Sequence, residues 1–181
     1  MKGKISISLL LLILIGSDSV FAQKIDSLKS NAWKTVEKGY KIQFPGNWTF
    51  DDSGKSGSTF FILSPKEDEK DEFRENVNLI IQDLGESGYD LKKFMELTED
   101  QIKSLVPGSQ ILENTLLSGN KGNYQKLIWS GEMGGRKLKF EQFIYVHEKK
   151  AYILTLSVEL LKWTQYGNIG ESILKSYIPN F

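Results

Sequence analysis

The chain has no cysteine and a single histidine among its 181 residues. The first absence excludes disulfides, thiolate metal sites and lipid attachment through a cysteine thioether. With only His147 available, a histidine-rich zinc site is excluded too, and a Ser–His–Asp triad would have to use that one imidazole. Neither sign of charge is in excess, because 23 Lys plus Arg balance 23 Asp plus Glu. Nucleic-acid binders carry a basic stripe and membrane-surface binders a polybasic patch, so neither partner is expected. No apolar run approaches the roughly 20 residues that cross a bilayer.

What is present begins with an address. Lys2 and Lys4 precede an apolar stretch over residues 5–15, and Val20-Phe21-Ala22 follows with small or modest side chains at the ends of the triplet. This is the three-part pattern of a secretory signal peptide, with cleavage expected between Ala22 and Gln23 and no stable membrane insertion afterwards. Loss of residues 1–22 removes two lysines and one aspartate, which leaves the charge balance almost unchanged. An exported chain without disulfides fits a periplasm better than the surroundings of small extracellular eukaryotic domains. Residues 23–35 read as a short lead-in anchored by Trp33, and residues 36–181 as one domain.

After Gly39 the hydrophobic period is two. Tyr40, Ile42 and Phe44 alternate with Lys41 and Gln43, and Pro45-Gly46 ends the strand. Further strands are expected over residues 59–63, 77–84, 111–117, 124–132, 137–146 and 151–159. Asp90 opens a helix whose apolar stripe runs from Leu91 to Val106 and stops at Pro107-Gly108. Thr98-x-x-Gln101 matches a capping box inside that stripe and suggests a kink or two short helices. If Gly134-Gly135 is a two-residue turn, Glu132 pairs with Lys137 and Trp129 with Phe140. Leu127, Trp129, Leu138, Phe140, Ile144 and Val146 then share one face, with Ile128, Phe143 and Tyr145 on the other. Both faces need cover, and a second helical stripe from Tyr166 to Ile178 supplies it. Gly167 and Gly170 weaken that helix but permit close approach to the sheet. The expected architecture is α+β: an α–β–α sandwich around a central antiparallel sheet.

Few groups point to chemistry. His147 flanks a turn and reads as a surface residue. The run KEDEKDEFRE, residues 66–75, offers carboxylates to calcium, but its interspersed cations favour a solvated loop. DDSGKSGS, residues 51–58, lacks phosphate-loop spacing. Ser172-x-x-Lys175 matches a serine–lysine spacing of penicillin-interacting enzymes, without the accompanying order of motifs. Trp48 and Trp129 are either core rings or stacking surfaces for a ligand. Lys126, Lys139 and Glu141 alternate with apolar residues and form a candidate polar patch for partner contact.

Several segments together resemble the PsbP-like superfamily: GYKIQFPGNW (39–48), NVNLIIQDL (76–84), GNYQKLIWSG (122–131), KLKFEQFIYVHEKKAYILTLS (137–157) and ESILKSYIP (171–179). The resemblance runs in order from Trp33 to Pro179. It implies the same layered α–β–α fold and a binding or assembly role, and it brings no shared catalytic residues or cofactor. The expectation is therefore a non-catalytic, exported envelope module with a protein partner. The alternatives are a carrier of a small apolar ligand, in a pocket lined by Trp48 or Trp129, and a small hydrolase using Glu141 or the Ser172–Lys175 pair.

Overall fold

The computed structural model describes residues 32–181; the expected signal segment and its cleavage point lie outside them. The first hairpin joins β1 (Trp33–Glu37) to β2 (Tyr40–Pro45), with Gly39 taking the positive φ that the turn requires. The alternation in β2 buries Ile42 and Phe44. Trp33 is no anchor: it is 42% exposed and opposes Pro45 across the hairpin. The outer partner of β2 is β10 (Ile178–Pro179), so the order in this small sheet is β1-β2-β10.

The second sheet contains β3 (Thr49–Asp51), β4 (Phe60–Leu63), β5 (Asn76–Asp83), β6 (Gln110–Gly119), β7 (Gly122–Met133), β8 (Arg136–His147) and β9 (Lys150–Glu159). Its order is β3-β4-β5-β9-β8-β7-β6, antiparallel at every pairing. The Gly134-Gly135 turn sets the predicted register, with Glu132 opposite Lys137 and Trp129 opposite Phe140. The fold is α+β and sheet-rich, but the single sheet expected from the sequence is two. The opening strand belongs to the small one, because its second edge is completed from the far end of the chain.

Helix α1 (Leu91–Leu105) starts where the Asp90 carboxylate accepts the Lys93 amide at 2.7 Å. It runs unbroken through the expected kink. Thr98 is buried and its hydroxyl donates back to the Phe94 carbonyl, so its side chain serves the helix interior rather than a cap. Phe94, Met95 and Ile102 pack with Leu127, Trp129, Leu138, Phe140 and Ile144 in one cluster. Helix α2 (Trp163–Lys175) follows a 3-10 turn, and its Ile173 and Leu174 pack in a second cluster with Ile42, Phe44, Trp48, Phe143 and Tyr145. Neighbouring residues of β8 thus go to different clusters, as period-two alternation demands. Gly170 explains how closely α2 lies on the sheet: a Cβ there would sit 2.4 Å from both methyl carbons of the buried Leu156 on β9.

Residues 66–70 are exposed, as their charge suggests, but the run turns inward at its end. Phe73 is buried, Glu75 is fully buried, and Glu67 and Glu72 pair with Lys162 and Arg136. A single aromatic, three long-range ion pairs and a hydrogen bond from Tyr166 to Glu67 hold the run against the body.

Candidate functional site

Where α2 ends, its last turn, the β6–β7 turn and strands β2 and β10 of the small sheet surround a cleft of about 540 Å³. Its floor is aromatic. Tyr124 of β7 lies 4.9 Å from Phe143 and 5.1 Å from Tyr145 on β8, ring centre to ring centre, and Tyr145 lies 6.2 Å from Tyr177. The row continues from Tyr177 to Tyr40 at 6.1 Å and on to Phe60 at 5.1 Å, in the core. Strand alternation puts Tyr124, Phe143 and Tyr145 on the α2 side, and the chain leaving α2 brings Tyr177 down to meet them. Burial raises the Tyr145 phenol to about 12, with Tyr124 adding to the effect, and raises Tyr177 as well. Both are neutral hydroxyls at physiological pH, able to donate hydrogen bonds.

The rim is cationic. Lys41 of β2, Lys121 of the β6–β7 turn and Lys175 of α2 line the cleft, and none of its lining residues is acidic. Lys175 lies 2.9 Å from Glu171. Lys121 reaches an oxygen of the terminal residue, Phe181, at 3.5 Å. Ser176 holds this corner together. Its hydroxyl accepts the Gln43 amide at 2.8 Å and lies 3.0 Å from the Gln43 carbonyl oxygen. The β2–β10 register, Lys41 with Ile178, would bring Gln43 opposite Ser176 two residues further on. The serine side chain therefore extends a ladder that the backbone leaves at Ile178.

Directly beside the floor, β7, β8 and α2 each contribute a charged residue next to their cleft residues. Glu141 is 2% exposed, and one of its carboxylate oxygens lies 3.4 Å from the Lys126 ammonium. The same ammonium is 3.3 Å from Glu171 and 3.6 Å from Glu113. Burial raises the Glu141 carboxyl above its ordinary value, and Lys126 only partly opposes this. Burial also works against the Lys126 charge, but its three carboxylates outweigh it and hold that lysine above its usual value. A matching centre stands at the other end of α2, where Lys162 lies 3.7 Å from the buried Glu75, 3.0 Å from Glu67 and 3.3 Å from Glu159. Tyr166 donates to Glu67 there at 2.8 Å.

The residues singled out in the sequence divide among these places. Lys126 and Glu141 do come together, but beneath α2 and not on an exposed patch, because Glu171 lies over them. Lys139 leaves them and sets its ammonium over the Trp163 ring at 4.2 Å. Trp48 is buried edge-on to Tyr166. Trp129 is fully buried, stacked on Phe140 at 4.1 Å, with its indole N–H donating to Gln142. Neither tryptophan lines the cleft. His147 stacks on Phe181 at 4.3 Å, and the Ser172 hydroxyl donates to the Asn168 carbonyl of its own helix rather than toward Lys175. Among the described residues, no three His, Asp or Glu side chains group so as to hold a metal ion, and no helix is long and apolar enough to cross a membrane.

The cleft residues Lys41, Lys121, Tyr124 and Tyr177 were missed from the sequence. The one usable signal was the recurrence of tyrosine at 124, 145 and 177.

No family model matches the chain, and no curated protein does. Solved structures do. The cyanobacterial PsbP of Synechocystis sp. PCC 6803 is similar with a TM-score of 0.55 at 14% identity, over 86% of this chain and 96% of that one. LpqN of Mycobacterium tuberculosis, described as involved in cell envelope biogenesis, aligns with a TM-score of 0.57 at 14% identity, over 81% and 90% of the two chains. PA94 of Pseudomonas aeruginosa, a protein of unknown function, aligns at 0.58 and 10% identity, over 81% and 96%. The fold is PsbP-like.

Proposed function

We propose that this chain is an exported, non-catalytic binding or assembly module of the bacterial cell envelope, cleaved between Ala22 and Gln23. In this reading residues 36–181 act as one domain, an α–β–α sandwich, and the cleft at the end of α2 meets a protein partner. The observation that carries the reading is the composition of that cleft. Its lining offers rings, neutral hydroxyls and ammonium groups, but no carboxylate or imidazole to take up a proton at neutral pH. Such a surface is furnished to hold a ligand through ring contacts and charge. The envelope role described for LpqN supports the same setting. The carrier alternative rested on Trp48 and Trp129, and both rings are engaged in core packing.

A photo-reactive residue placed at Lys121 and another at the exposed Lys70 test the reading. Irradiation in intact envelopes is expected to give a discrete adduct from position 121 and none from position 70. Identical patterns from the two positions, or no adduct from either, would overturn it.

A further inference from the structure

The cleft is not isolated. Lys41, Lys121, Ile178 and Pro179 also line an adjoining groove of about 320 Å³, which continues past Tyr40 and Gly39 to Glu37. The two depressions share those four residues and form a trough along β10, with one carboxylate at its far end. Within a chain of balanced charge, the deeper part concentrates three ammonium groups and no acid. Lys41 has no carboxylate partner among the described residues, so its field is not spent internally, while Lys121 meets an oxygen of the terminal residue, Phe181, only at 3.5 Å.

Three features select among anionic occupants. The lysines come from three separate elements and no arginine joins them, so their charge is spread around a rim instead of converging in a bidentate fork. Helix α2 presents its C-terminal end here, and its carbonyl dipole repels any anion set directly on it, so an occupant's negative groups must stand apart from that end, toward Lys41 and Lys121. The floor between the cations is a row of rings, which favours an apolar or aromatic side chain between the anions. Resting on the binding-module reading, we propose that the trough holds an extended acidic segment of a partner protein. Its separated carboxylates meet Lys41 and Lys121, and an aromatic side chain between them lies on Tyr124, Tyr145 and Tyr177.

The test uses the full chain and a short fluorescent peptide alternating glutamate with phenylalanine. Two other probes accompany it: the same peptide with glutamine for glutamate, and vesicles of phosphatidylglycerol. Binding of the acidic peptide is expected to weaken at least about tenfold in the Lys41→Glu/Lys121→Glu variant, since two attractions become two repulsions. A Lys70→Glu control should stay within about twofold of the parent, and unchanged thermal midpoints establish that both variants are folded. Equal binding of the glutamine peptide, or no response to the double reversal, overturns the proposal. Vesicles that bind in a Lys41- and Lys121-dependent way while the acidic peptide does not would assign the trough to a lipid surface and overturn it too. In that last case a position-121 adduct with an envelope protein would still stand for the module; loss of the adduct as well would remove both.

Discussion

Lys126 and Lys162 stand near opposite ends of α2 and are built alike. Each holds one buried glutamate, Glu141 or Glu75, and two outer ones. They differ in what lies beside them. At Lys162 the loop of residues 66–75 closes over the centre, and Tyr166 and Arg136 take up its outer carboxylates Glu67 and Glu159. At Lys126 the neighbouring residues on all three elements open into the cleft. The same electrostatic clip thus serves both ends of one helix. The lesson is that a buried ion pair near a cleft is not by itself a functional group, since its twin is built into the packing of residues 66–75.

The sharpest way to break this likeness is to remove each ammonium. Lys126→Met and Lys162→Met each leave a buried carboxylate without its cation, and each is expected to lose about 3–5 kcal/mol in denaturant unfolding at neutral pH. Adding Glu141→Leu to Lys126→Met should recover most of the loss, because the apolar pair removes the stranded charge. If Lys126→Met alone were neutral, the two centres would not be equivalent.

Gly170 lies between the centres and sets the distance of α2 from the sheet for both. Gly170→Ala should gain helix propensity yet destabilise by about 1–3 kcal/mol, because Leu156 is fully buried and must move as a whole. A rise in thermal midpoint would show that the helix can lift without disturbing either clip.

Acidity separates inner from outer glutamates. Glu75 and Glu141 are raised in the fold, chiefly by burial, so the folded state binds their protons more tightly. Their contribution is present below the ordinary value of 4.5 and is lost as pH rises from there through the raised folded value. Glu67 and Glu171 are lowered, chiefly by hydrogen bonds from Lys162 and Lys175, and contribute the opposite way: their share is lost on acidification. Glu141→Gln should flatten the decline of thermal midpoint above pH 4.5, and Glu171→Gln the decline below it.

The smallest expected effect on stability is at the rim. Lys121→Ala should stay within about 0.5 kcal/mol of the parent, as its side chain is exposed and its one contact, to the terminal Phe181, is long at 3.5 Å.

How much of this was legible in the sequence follows from how local each signal was. The β7–β8 register could be read by taking Gly134-Gly135 as a two-residue turn, and alternation then assigned Trp129, Phe140, Phe143 and Tyr145 to their faces. The small sheet could not, since a two-residue strand has no period and its partner lies far along the chain. Residues 66–75 looked solvated because charge density says nothing of Lys162 and Arg136, which come from elsewhere. Lys126 and Glu141 were visible as alternating polar residues, but their burial depends on where α2 comes to rest. The cleft draws on β2, the β6–β7 turn and the end of α2, and no window of sequence contains two of these together.

Ser176 meets Gln43 across 133 positions of sequence. A hairpin of two strands is marginal alone, so β1 and β2 gain a lasting third neighbour only when distant residues arrive. Such a closure is a contact of long sequence separation, the kind whose loop entropy must be met before it rewards the chain. The cleft, whose walls include both sides of that closure, is therefore complete only where the two ends of the domain have met.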